Sequence, residues 1–484
     1  MSRRGLLSGA AAVGLGTAAG PFAGFVSRAV AAPRPQPALV PLPDLRDGQV
    51  RLWLPEGFSY RSFHDTESPV ILDDGAVLPG RHDGMGAFAW RDGDYVLVRN
   101  HEIALRGPAF GPAPTVYDPA AAGGTTTVEV THQGEVLRSR VSLSGTESNC
   151  SGGVMPWGSW ISCEETVNGP DVGPDYTGAS NVGLRERHGF VFEVPADGVS
   201  DAQPITAAGR FSHESVAYDP AGGVLYLTED NFGYASCFYR YLPIRRPDEG
   251  RHTRLADGGR LQALAVKGRP NCDLAAEQTP GTVYPVHWVD IDDPAPSFPY
   301  TPGQDALTTN DEALCHVSGQ GRASGAAWFS RLEGAAFDRG VVYFTSTQGG
   351  GPPEESVGPA ANGFGNGYGQ VWAYHTTEQI LRLVYQSPGP DTLDYPDNVT
   401  TSPRGTLIVA EDHNNDNYLR GLSRDGALSS IALNRIVGST GADRSGDEFA
   451  GPTFSPDGRT LFVNIQAESG MTFAIWGPWS RIGV

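Results

Sequence analysis

One local pattern recurs along this chain at roughly 55–65 residue intervals, with one wider gap. A polar residue opens a run of small side chains. A Gly/Pro/Asp turn follows, and an apolar run then ends on polar residues. The copies pair 83–90 with 94–102, 149–155 with 159–165, 213–218 with 224–230, 332–337 with 341–347, 397–402 with 407–412, and 448–454 with 461–466. Each reads as an antiparallel hairpin. Among 484 residues there are 63 Gly and 38 Pro but only 4 Met, which favours many short strands over long helices. Six such pairs predict an all-β, six-bladed β-propeller with inserted loops, each pair forming the inner half of a four-stranded blade. A hydrophobic content of 39% suffices for a packed core in a chain this long.

Hairpin geometry turns this repeat into a site. The start of the first strand and the end of the second lie at the same end of an antiparallel pair. Cys150 therefore falls near Glu164 and Glu165, Glu214 near Glu229 and Asp230, and Asp397 near Glu411 and Asp412. Glu333 falls near Thr345 and Thr347, and Glu102 ends the first pair. If the pairs line an axis, all of these converge on one mouth of a central channel. Carboxylates a few ångströms apart cannot all ionise without counter-ions, and bound metal is the economical solution. Oxygen ligands suit calcium. A thiolate from Cys150 suits a transition metal, so the ligand mix predicts a mixed cluster.

Recurrence at equivalent positions favours ligation by Glu214, Glu333 and Glu411. For Glu164 and Glu448 an ordinary turn cap or exposed charge is the simpler reading. The segment 412–417 resembles the start of a calcium loop but lacks the expected glycine and distal glutamate. Arg331, two residues before Glu333, shares its strand face. It could grip an oxyanion bidentately; a structural salt bridge is the alternative.

The net charge of −20 argues against a nucleic-acid partner. Residues 1–31 read as a twin-arginine-type export signal: Arg3 and Arg4, a Gly/Ala/Leu-rich run, and a small-residue cleavage site at Ala29-Val30-Ala31. That run is too weakly apolar for stable membrane insertion. Residues 32–484 then form one propeller domain, interrupted at about 241–327 by an insertion carrying Arg245, Arg246, Arg251 and Arg254. A second long loop spans 349–369, and long loops are often functional. Five cysteines make an odd count for an exported protein, so at least one is unpaired or ligated. There is no G-x-S-x-G elbow and no Walker loop.

These motifs resemble the PhoX-type alkaline phosphatases. The resemblance runs in order through Arg99-Asn100-His101-Glu102, Gly123-Gly124-Thr125-Thr126-Thr127, Asn149-Cys150-Ser151-Gly152-Gly153, Cys163-Glu164-Glu165 and Gly209-Arg210-Phe211-Ser212-His213-Glu214. It continues in Arg331-Leu332-Glu333-Gly334-Ala335, Asp397-Asn398-Val399 and Glu448-Phe449-Ala450-Gly451-Pro452-Thr453-Phe454. It implies an iron and calcium cluster on the propeller axis and hydrolysis of small phosphomonoesters by metal-activated oxide or hydroxide attack. By that resemblance Cys150 is the thiolate ligand of iron, Glu214 and Glu333 are metal-binding glutamates, and Arg331 holds phosphate. Position alone gives Glu102, Glu165, Asp230, Asp397, Glu411 and Asp412 calcium or supporting roles. The expected protein is a monomer, exported by the twin-arginine machinery to the periplasm or beyond. A calcium-stabilised binding module and a lactonase-like hydrolase compete with this reading; the lactonase needs neither Cys150 nor Arg331, and a phosphate-release assay decides against the binding module.

Overall fold

A computed structural model describes residues 37–246, 255–413, 415–423 and 426–484. The export signal, Arg251, Arg254 and Asn414 lie outside the described residues. The chain is all-β apart from short 3-10 turns and one helix, Asn310–Ala323, among the described residues. Among the described residues its strands lie in five antiparallel sheets, the largest of which joins two meanders, so six meanders can be followed along the chain. Their first strands are His82–Ala89, Asn149–Met155, His213–Asp219, Leu332–Asp338, Pro396–Thr401 and Glu448–Phe454. Each first strand adjoins the next in that order, and the sixth adjoins the first, so the circuit closes.

The close approach of first strands explains their small residues. A Cβ on Gly84 would stand 2.5 Å from Ser151 Cα, and one on Gly334 only 2.4 Å from Val399 N. No larger side chain fits at either place. The second strands are buried almost throughout; Val224–Glu229, Val341–Ser346 and Leu407–Glu411 expose no residue. The apolar cores therefore sit between meanders. One joins Ile161 and Val191 of the second meander to Val216, Leu227 and Tyr239 of the third.

The N-terminal segment completes two meanders. Ser59–Phe63 pairs with Met471–Trp476 of the sixth. Val50–Pro55 pairs with Leu428–Asn434 of the fifth and carries Leu39–Pro43 outside it. The segment expected as an insertion supplies Gly259–Val266 and Val283–Asp290 to the third meander. Val283–Asp290 also pairs with Ile380–Gln386 of the fourth, fusing the two into a nine-stranded sheet. The helix is set by a capping box between Thr309 and Glu312. The 349–369 loop folds back on the third meander, where Ala360 N donates to Gly233 O at 2.8 Å and Phe364 N to Phe232 O at 2.7 Å.

Side chains of the second strands latch neighbouring meanders together. Asn100 Nδ2 donates to Cys150 O at 3.0 Å and to Ser151 O at 2.7 Å. Thr228 Oγ1 donates to Glu333 O at 2.6 Å, and Thr345 Oγ1 to Asp397 O at 2.7 Å. Asn464 Nδ2 reaches Asp83 O across the closing seam. Replacing Thr345 with Val keeps the shape but leaves a buried carbonyl without its donor. The expected cost is about 1–3 kcal/mol, read as a lower chemical-denaturation midpoint at fixed metal concentration. An unchanged midpoint would show that the latch carries no stability.

Candidate metal centre

Every first strand carries a β-bulge near its start, after His82, Asn149, His213, Leu332, Pro396 and Ala450. A bulge re-aims the side chain it contains. The residues that follow those six positions are Asp83, Cys150, Glu214, Glu333, Asp397 and Gly451. The first five line one cavity of about 480 Å³. At the sixth, Gly451 has φ +57° and a Cβ would meet Asp83 O at 2.4 Å, so only glycine fits there.

The second strands contribute in alternation. His101, Glu164, Glu229 and Glu411 end their strands in register with His82, Asn149, His213 and Pro396. The residues after them, Glu102, Glu165, Asp230 and Asp412, line the cavity. Successive side chains in extended chain point to opposite faces, so one of each pair is lost to the sheet. Glu411 is the expected site residue lost this way. Its carboxylate accepts from Arg420 Nε at 2.8 Å and from the backbone of Asp394 and Tyr418, each at 3.2 Å. Glu229 is held by Cys237 N at 2.7 Å and Tyr239 Oη at 3.0 Å. Glu164 lies 2.6 Å from His188 Nδ1 and accepts from Gly189 N at 2.9 Å.

Two groups of donors meet at Glu214. Ligand atoms of Cys150, Glu165 and Glu214 lie within 4.8 Å of one another, as do those of Glu214, Glu333 and Asp397. Such separations are spanned by two atoms bound to one ion at about 2.0–2.6 Å each. Asn398 Nδ2 donates to Glu214 Oε1 at 3.3 Å and to Asp397 Oδ1 at 2.7 Å. Gln466 Nε2 donates to Asp83 Oδ2 at 2.7 Å and Glu102 Oε2 at 2.9 Å. Asp83 Oδ1 is buried and has no hydrogen-bond partner.

Arg331 enters beside these groups. Its Nε and Nη2 donate to Asp230 at 3.1 and 2.7 Å, and Nη2 also reaches Glu333 Oε1 at 3.1 Å. Its Nη1 makes only a 3.4 Å contact with Gln348 Oε1. Burial works against the guanidinium charge, but Asp230 and Glu333 outweigh it and hold the group well above its ordinary pKa.

Electrostatics show what the cavity lacks. Burial first, then the charge of Asp397, pushes the Glu214 carboxyl well above the ordinary range. Glu333 and Glu165 rise through burial and Asp230, Asp397 through burial and Asp412, and Asp83 through burial and Asp397. Glu102 rises to about 7, again mainly by burial. Burial and Glu214 push the Cys150 thiol up. A protein-only cavity would thus hold protons. A cation is the counter-charge that lets these groups ionise. The oxygens of Glu214, Glu333, Asp397 and Asp83 fit a hard cation, and the Cys150 sulfur fits a softer one. The donor set is therefore suited to metal.

Several lining residues escaped the sequence reading. Asp83 occupies the same slot as Cys150 and Glu214, and that alignment was the available signal. Glu448, read as a cap or exposed charge, is half-buried in the cavity wall. Arg81, with Glu102 at 3.6 Å and Glu468 at 2.9 Å, sits at the rim with no motif to mark it. The described residues of 412–417 go to separate places. Asp412 lines the cavity, Asp416 pairs with Arg435 at 2.7 Å, and Asn417 donates to His413 O at 2.7 Å. All five cysteines are free thiols, and Cys163, Cys237 and Cys272 are buried away from this cavity.

The fold is similar to that of Pseudomonas fluorescens PhoX in complex with vanadate, a transition state analogue, with a TM-score of 0.64 at 17% identity over 92% of this chain and 98% of that one. A gluconolactonase from Xanthomonas campestris aligns with a TM-score of 0.38 at 15% identity, over 91% of this chain and 98% of that one. Comparison with curated protein sequences finds no match. The sequence matches the family described as Alkaline phosphatase PhoX over residues 39–469. With the cavity built on segments of that same span, the chain belongs to the PhoX alkaline phosphatase family and is a metal-dependent phosphomonoesterase.

Proposed function

We propose that the cavity holds iron and calcium, and that Arg331 presents phosphate esters to them. The observation that carries this reading is the position of Glu214, shared between a sulfur-containing donor group and an all-carboxylate one. Cys150, with Glu165 and Glu214, would hold iron. Glu214, Glu333 and Asp397 would hold calcium, with Asp83, Glu102, Asp230 and Asp412 completing or supporting those sites. Glu411 leaves the set and instead pairs with Arg420 at 2.8 Å. When bound, the cations offset phosphate charge and activate the attacking nucleophile.

The chain's own residues do the rest. Asp230 and Glu333 fix the plane of the Arg331 guanidinium, and Nη1 is its least committed donor. A phosphate oxygen accepting from Nη1 would be oriented by a group already locked in place. The fixed positive charge opposes the negative charge that grows on the phosphoryl oxygens as the ester bond breaks. Arg81 at the rim adds a second cation on the approach to a protein of net charge −20.

The six meanders and their closed circuit of first strands support a six-bladed propeller as the architecture. Arg3, Arg4 and the Ala29-Val30-Ala31 site support twin-arginine export to the periplasm or beyond. No helix among the described residues is long and apolar enough to cross a membrane.

Elemental analysis of purified protein should find iron and calcium in the same sample that hydrolyses p-nitrophenyl phosphate. Cys150→Ala should lower that turnover about a hundredfold or more and release the iron; retained iron would remove the thiolate claim. Arg331→Ala should raise KM and lower kcat, with kcat/KM down by roughly 10²–10³. If both constants stay put, phosphate is not held there.

The titrations give a further sign. Burial raises Glu102, Glu229 and Glu411 to about 7, against 4.5 for an ordinary glutamate. Between those values the folded chain holds more protons than the unfolded one, so stability present below 4.5 is lost as pH rises through 7. Chelator-treated protein should show a thermal midpoint that falls across that window. Restoring the cations should shrink the fall, because they bind the deprotonated cavity carboxylates. A midpoint that climbs with pH in the chelated protein would contradict the proton-holding cavity.

A further inference from the structure

Phe232 stands out at the edge of the cavity. It follows Asp230 by two residues, in the turn between Val224–Glu229 and Phe238–Pro243. The residue is 54% exposed. The ring lies against the functional arginine: Arg331 Cζ is 5.0 Å from the Phe232 centroid. The turn is not loose. Phe364 N donates to Phe232 O at 2.7 Å, and Ala360 N to Gly233 O at 2.8 Å, so the 349–369 loop pins it from behind.

Phosphate held by Arg331 would bring its organic part within reach of the Phe232 ring, 5.0 Å from that guanidinium. Elsewhere the cavity wall is almost wholly carboxylate, thiol, amide and guanidinium, which offers an organic leaving group nothing apolar. We propose that Phe232 forms the leaving-group subsite and favours phosphomonoesters whose leaving group is a planar aromatic ring over aliphatic esters. The physical basis is ring-on-ring contact and removal of exposed apolar surface from water, both of which an aliphatic polyol forgoes. This rests on the phosphatase reading and on phosphate lying at Arg331.

The test compares 1-naphthyl phosphate with glycerol phosphate as substrates of the metal-loaded enzyme. The quantity read is the aryl-to-alkyl ratio of kcat/KM in each variant, divided by the wild-type ratio, which cancels the intrinsic reactivity of the two esters. Phe232→Ala should lower that ratio about tenfold. Phe232→Leu, which keeps apolar contact with Arg331 but loses the planar face, should lower it comparably, mainly through KM. Phe232→Tyr should keep it. Equal losses on both esters would overturn the proposal and leave Phe232 as a prop for Arg331. An unchanged ratio in Phe232→Ala would overturn it as well. Failure of the loaded wild-type enzyme to hydrolyse either ester would instead remove the phosphatase reading, and the subsite with it.

Discussion

Asn100, Thr228, Thr345 and Asn464 each send a hydrogen bond across a seam between meanders to the carbonyl of a residue whose side chain enters the cavity. The donors therefore sit where the neighbouring strand pair puts them. A propeller-like circuit needs tight seams for its apolar cores. Here the same seams fix Cys150, Glu333, Asp397 and Asp83. Packing and ligand geometry are one constraint, and small residues such as Gly84 and Gly334 let the strands come close enough to meet it.

That geometry collects acids at a cost. Burial and mutual repulsion raise Glu214, Glu333, Glu165, Asp397 and Asp83 together. Of the cavity's lining cations, Arg331 is committed to Asp230 and Glu333, and Arg81 to Glu102 and Glu468. Two guanidinium groups cannot balance so many carboxyls. The site is built as an unfinished charge arrangement that cations complete, which couples metal binding to stability.

Much of this was readable in the chain. The repeat gave the hairpins, hairpin geometry gave a common mouth, and Cys150, Glu214, Glu333 and Asp397 fall there. What was not readable was the choice between Glu411 and Asp412, both of which the sequence offered as site residues. They differ by one residue of register, and strand alternation sends the two to opposite faces. The bulges that aim the first-strand donors leave no composition signal of their own. They become visible only when Asp83, Cys150, Glu214, Glu333, Asp397 and Gly451 are aligned as one slot, and Asp83 was missed for lack of that alignment. The pairing of Val283–Asp290 with Ile380–Gln386 joins stretches with no shared motif, so the sequence could not announce it.

The strap formed by Ser59–Phe63 sets an order on assembly. Its partner strand, Met471–Trp476, lies near the other end of the chain. During synthesis the earlier strand must wait for the later one before the circuit can shut, and Asp83, on the first meander, waits with it for Asn464 and Gln466. A partly made chain thus cannot gather its full set of acids.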